Sequence, residues 1–137
     1  MREILFKAKS ENIDGTFDWI EGYLSKCEGK WTICDDEGVG CFVEEETICQ
    51  YTGLTDKNGK KIWEDDIVFV TDDNGCSGQI DTGIGDVIFL EGLWYIDGRV
   101  ANSLYDINNC FQIEVIGNIF DNAELLEASC TNSRTGN

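Results

Sequence analysis

Most of the residues able to do chemistry are carboxylates. Three runs stand out: Asp35-Asp36-Glu37, Glu44-Glu45-Glu46 and Glu64-Asp65-Asp66. Paired carboxylates act as acid and base in glycosidases, and they hold Mg²⁺ in hydrolases and nucleases. With 27 acidic residues among 137, neighbouring acids arise without selection for chemistry, so no catalytic residue is assigned. Two fragments, Asp56-x-Asn58-Gly59 and Asp72-x-Asn74-Gly75, resemble pieces of a calcium loop. An EF-hand also needs a third early oxygen ligand, a Gly directly after it and a closing Glu, and neither fragment has that spacing. Both are expected to be turns.

The chain has no His, which excludes Ser-His-Asp and Cys-His catalysis and removes the commonest zinc ligand. Its seven Cys (27, 34, 41, 49, 76, 110 and 130) include no Cys-x-x-Cys pair. A Cys-only zinc site would have to gather four thiolates from scattered positions, so the Cys are read as small core or surface residues. No metal or cofactor is expected. An odd Cys count without a signal peptide fits free thiols in a reducing cytosol.

The side chains must be carried by a small chain, one domain or two lobes sharing a core. The content is 42% hydrophobic, with four Trp, seven Phe, fifteen Gly and no Pro, so turns fall to Gly, Asn and Asp. Ten basic against 27 acidic residues gives −17. Residues 1–61 hold 13 acids and 8 bases (−5), and residues 62–137 hold 14 and 2 (−12). Direct nucleic-acid binding through phosphates is disfavoured, because each contact needs a cation. No apolar run approaches the roughly 20 residues of a membrane span.

Along the chain, Ile4-Leu5-Phe6 opens a strand, Asp14-Gly15 turns it, and Phe17–Leu24 alternates as a second strand with Phe17, Trp19 and Tyr23 of like parity. Cys27, Cys34 and Cys41 stand seven apart, but Gly29, Gly38 and Gly40 exclude a coiled coil. Residues 46–70 join the anchors Tyr51 and Leu54, a tight turn at 56–59, and the apolar strand Ile67–Val70. Residues 71–85, rich in Gly and Asp, read as an exposed loop. Asp86–Leu90, Glu91-Gly92 and Leu93–Ile96 form a hairpin, followed by a weaker segment with Leu104, Tyr105 and Ile107. Phe111–Val115 alternates as a half-buried strand. Asp121 and Glu124 have capping-box spacing for a short helix over 123–128, and 129–137 is a polar tail. The expectation is a mainly β protein of eight to ten strands. A β-rich N-terminal lobe (1–60) precedes a small barrel or sandwich with an SH3-like element (61–128), ending in the short helix.

With these segments placed, the sequence resembles the YopX-like family of phage and prophage proteins. The resemblance begins at Arg2–Lys7, touches Trp19, Gly22 and Tyr23, and is densest at Thr47, Gln50, Tyr51, Thr52, Gly53, Leu54, Asp56, Asn58, Gly59, Ile62, Asp66, Ile67 and Val68. It closes on Val115, Ile116, Gly117, Asn118, Ile119, Phe120, Asp121 and Asn122, then Glu124-Leu125-Leu126. Asp65 stands where the family commonly has Gly, and Ala123 where Pro often opens the last helix. A residue replacing Gly must avoid positive φ unless it is Asn or Asp, which tolerate it best. The resemblance implies a small β protein of bacterial mobile elements, often oligomeric, working in the host cytoplasm. It brings no catalytic residues.

The functional expectation is a non-enzymatic protein acting through protein contacts, as a homo-oligomer or accessory module. Trp19, Trp31, Trp63 and Trp94 either fill the core or form an interaction surface. The alternative is an acidic DNA mimic that occupies a host nucleic-acid-binding protein, against the plainer reading that charge keeps the protein soluble. A carboxylate- and Mg²⁺-dependent hydrolase comes third.

Overall fold

The computed structural model describes residues 4–73, 80–98, 102–103 and 111–127. The expected segment around Leu104, Tyr105 and Ile107 and the expected tail 129–137 lie outside the described residues, as do Cys76, Cys110 and Cys130. The protein is mainly β. Among the described residues there are eleven strands: β1 Phe6–Glu11, β2 Phe17–Cys27, β3 Lys30–Cys34, β4 Gly40–Phe42, β5 Cys49–Thr55, β6 Lys61–Trp63, β7 Asp66–Asp73, β8 Ile80–Leu90, β9 Leu93–Gly98, β10 Asn102–Ser103 and β11 Phe111–Asn118. They form two antiparallel sheets, ordered β4-β3-β2-β1-β5-β6 and β10-β9-β8-β7-β11. The chain divides into two compact units, Met1–Gly53 and Leu54–Asn137. Among the described residues no helix is long and apolar enough to cross a membrane.

Alternation places the side chains of the first unit. In β1, Phe6, Ala8 and Ser10 face one side and Lys7, Lys9 and Glu11 the other, and the register pairs Lys9 with Trp19 and Glu11 with Phe17. Ala8, Ile33 and Cys49 are buried. Gly22 is required by close approach: a Cβ there would run into the Cys34 carbonyl oxygen.

Three hairpins use one turn, with Asn or Asp first and Gly fourth. At Asn12, Asp35 and Asp56 the first residue's N–H donates to the carbonyl four residues on (2.7, 2.9 and 2.7 Å). The Gly N–H donates back to the first residue's carbonyl (3.0, 3.1 and 3.0 Å). Gly15, Gly38 and Gly59 take φ of 88°, 84° and 81°, the left-handed region that suits Gly in this position. Two tighter hairpins, Glu28-Gly29 and Glu91-Gly92, have positive φ at both residues, as two-residue turns matched to strand twist demand. The seven-residue spacing of Cys27, Cys34 and Cys41 is thus a strand-plus-turn repeat, with the three Cys in β2, β3 and β4.

In the second unit β7 lies between β8 and β11, and Ile67, Val68 and Val70 are buried. Val68 and Val70 belong to a core cluster with Ile62, Val87, Trp94, Ile96 and Ile113, against which Leu54 and Val115 pack, while Ile67 lies on the other face of β7. The sheet has β10 and β11 at its edges; it shares with the expected barrel the antiparallel, mainly β make-up. The exposed loop expected over 71–85 is corrected at 71–73 and 80–85, while 74–79 lie outside the described residues. Thr71, Asp72 and Asp73 pair with Thr82, Asp81 and Ile80, and Gly83 and Gly85 pair with Val70 and Val68. Backbone pairing with a strong neighbour makes a strand there despite low apolar content. In β11 the register slips between Val115 and Gly117, a bulge with Ile116 as the extra residue. The chain then enters the expected short helix, helical at 124–127 among the described residues.

Candidate functional site: the Asp56 turn and its strand

The turn at 56–60 carries Asp56, Asn58 and Gly59 and follows Leu54, which packs on the second unit's core. Asp56 is only 8% exposed, and each of its oxygens has work. Oδ1 accepts from the Asn58 and Lys60 N–H groups, both at 2.9 Å. Oδ2 accepts from Val115 N–H at 2.9 Å, across 59 residues of sequence. Burial by itself raises the Asp56 carboxyl. The three backbone donors and the nearby Lys60 charge outweigh it and hold the group below the ordinary carboxylate range. Lys57 N–H adds a bond to the Ile113 carbonyl at 3.0 Å. The Lys57–Glu114 ion pair, at 3.7 Å and nearly half exposed on both sides, contributes little.

Asp35 makes the same local turn, its Oδ1 accepting from Glu37 and Val39 N–H at 2.9 Å, but it is exposed. It lines a depression of about 190 Å³ with Asp36, Glu21, Tyr23, Leu5 and Gly22. Among the described residues no group of three or more His, Cys, Asp or Glu converges as metal ligands. The carboxylate runs lie instead in separate turns.

Asp65 takes φ 67°, the conformation for which Asp is the best substitute for Gly. Its N–H donates to the Val87 carbonyl at 2.8 Å and its carbonyl accepts from Ile119 at 3.0 Å. Asp66, 2% exposed, accepts the Trp63 N–H at 2.8 Å. Past the bulge, Asn118 Oδ1 accepts from Phe120 and Asp121 N–H, both at 2.9 Å. Asn118 N–H in turn donates to Asn122 Oδ1 at 3.2 Å. Gly117 is needed there because a Cβ would meet that same Asn122 oxygen at 2.5 Å. Tyr51 N–H donates to the Leu5 carbonyl at 2.9 Å, Thr52 is buried, and Gly53 takes φ 89°. These bonds bind strands and turns to one another.

Of the four candidate surface tryptophans, Trp63 (4% exposed) and Trp94 (2%) are buried and are withdrawn from that role. Trp94 is in the core and meets Phe89 edge-on, ring centroids 4.8 Å apart. Trp19 lies half-buried under the ammonium groups of Lys7 and Lys9, at 4.6 and 5.5 Å, and Trp31 under Lys26 at 4.7 Å. The parity of β2 puts Trp19, Phe17 and Tyr23 on one face. Phe42 joins it through its register with Thr32, itself opposite Ser25. Phe17, Tyr23 and Phe42 are 45%, 52% and 56% exposed. Tyr23 on this face follows from parity alone, whereas Phe42 was legible only through strand register.

The arrangement is that of a mainly β protein whose distinctive residues are spent on hairpins, a bulge and an edge clamp. The family model described as YopX protein matches residues 6–127, and the chain belongs to the YopX family. No curated protein matches it.

Proposed function

We propose that the chain is a phage- or prophage-encoded, non-enzymatic protein of the bacterial host cytoplasm that acts through protein contacts, as a homo-oligomer or accessory module. The observation that carries this reading is the aromatic face of the first unit. Phe17, Tyr23 and Phe42 are about half exposed beside Trp19, on a face where Lys7, Lys9 and Lys30 ammonium groups stand over the Trp19 and Phe42 rings. Exposed aromatics with cationic neighbours are the make-up of contact surfaces. The buried turn carboxylate Asp56 is taken up by three backbone donors.

Sedimentation equilibrium of the wild type and of a Phe17→Ser, Tyr23→Ser, Phe42→Ser triple variant tests the self-association form. The wild type is expected to associate at micromolar concentration and the variant to shift toward monomer. A wild type that stays strictly monomeric removes the homo-oligomer and leaves the accessory module.

A further inference from the structure

Among the described strands β11 lies at an edge, with β7 as its one neighbour. Its sequence, FQIEVIGN, alternates through Val115, contains no Pro and has a single charge, Glu114. Such an edge is a template for pairing with another chain unless something covers it. The 56–60 turn covers it. Lys57 N–H donates to the Ile113 carbonyl at 3.0 Å, and Asp56 Oδ2 accepts from Val115 N–H at 2.9 Å. In an antiparallel ladder alternate residues point their hydrogen-bonding groups to opposite sides, so Ile113 and Val115 offer theirs away from β7.

We propose that the 56–60 turn is a guard on a self-pairing edge, and that lifting it opens β11 to β11 of a second copy. The two strands pair antiparallel about Ile113. The two Ile113 residues exchange N–H···O bonds, and Gln112 falls opposite the partner's Glu114, which keeps like charges from facing each other. A second copy fits this edge because alternation, register and charge are complementary to themselves. The net charge of −17 opposes the approach, so pairing strengthens with salt. This contact is separate from the aromatic face of the first unit, and the two fail separately.

Two variants lift the guard differently. Asp56→Ala removes the acceptor for Val115. Lys57→Pro removes the donor to Ile113 at the second position of a turn, where Pro is favoured. Sedimentation from about 1 to about 100 µM, with hydrogen–deuterium exchange over 111–118, reads the result. Both variants are expected to gain an added association step at least tenfold tighter than in the wild type (about 1.4 kcal/mol). β11 amides should be protected at high concentration and exchange faster on dilution, more so at low salt. Folded variants with the wild-type mass distribution overturn the proposal, as does association that leaves β11 exchange unchanged. Should Asp56→Ala fail to fold, Lys57→Pro decides. Unfolding of Lys57→Pro as well also overturns the proposal, since the contact is then required for folding.

Discussion

Replacing Asp56 by Asn keeps the shape of the side chain and removes one acceptor. With the amide oxygen held by Asn58 and Lys60 N–H, the NH₂ group confronts the Val115 N–H, donor against donor. A hydrogen bond to a charged group contributes about 1.5–3 kcal/mol, and an unpaired buried donor costs about 1–3, so Asp56→Asn should destabilise by about 2–4 kcal/mol. Asp35→Asn is the internal control. Its turn uses only Oδ1, which Asn retains, so the cost should stay under about 1 kcal/mol. Urea unfolding at pH 7 measures both. The pH dependence adds a second reading. The folded-state value of Asp56 lies below its ordinary one, so its contribution is present above the unfolded pKa of about 3.9. It is lost as pH falls through the folded value. The gap between wild type and Asp56→Asn should therefore narrow with acidification below about pH 4. A variant within about 0.5 kcal/mol of wild type at pH 7, or a gap indifferent to pH, refutes the reasoning.

Three further experiments check the remaining geometry. Asp65→Gly should be more stable than Asp65→Ala by about 1 kcal/mol, because both lose the carboxylate and only Ala is strained at φ 67°; equal denaturation midpoints would refute the backbone argument. Gly117→Ala should cost about 1–3 kcal/mol by driving a methyl into Asn122. Adding Asn122→Ala should recover part of that cost, whereas strict additivity in the double-mutant cycle would exclude the clash. Burial, followed by the facing Asp97, pushes the Asp86 carboxyl up. The stability linked to its protonated form is present below the unfolded pKa and lost as pH rises through the folded one. Asp97→Asn should lower the Asp86 titration midpoint in carboxyl-carbon NMR, and an unmoved midpoint would dismiss the pairing.

Turns and alternation were legible because their causes are local. The three Asn/Asp-first, Gly-fourth hairpins each satisfy their donors within five residues, and Asp65 matches a position where only Gly, Asn or Asp is comfortable. The strands over Phe17–Leu24 and Phe111–Val115 follow from side-chain parity, and Leu93–Ile96 follows from the Glu91-Gly92 turn that precedes it. In the polar stretch 71–85 the described residues form strands because of their neighbours: Thr71–Asp73 pair with Ile80–Thr82, and Gly83–Gly85 pair with the apolar Val68–Val70.

Sequence by itself thus determined the mainly β make-up, the turn chemistry and the kinship with the YopX family. Tertiary structure alone decided that Trp63 and Trp94 are buried and Phe42 exposed. It also separated Asp56 from its look-alike Asp35. Both make the same five-residue turn, and only Asp56 sends its second oxygen to a donor 59 residues away. A contact of that span has no local signature, because what creates it is the course of the intervening strands and not the residues at its ends.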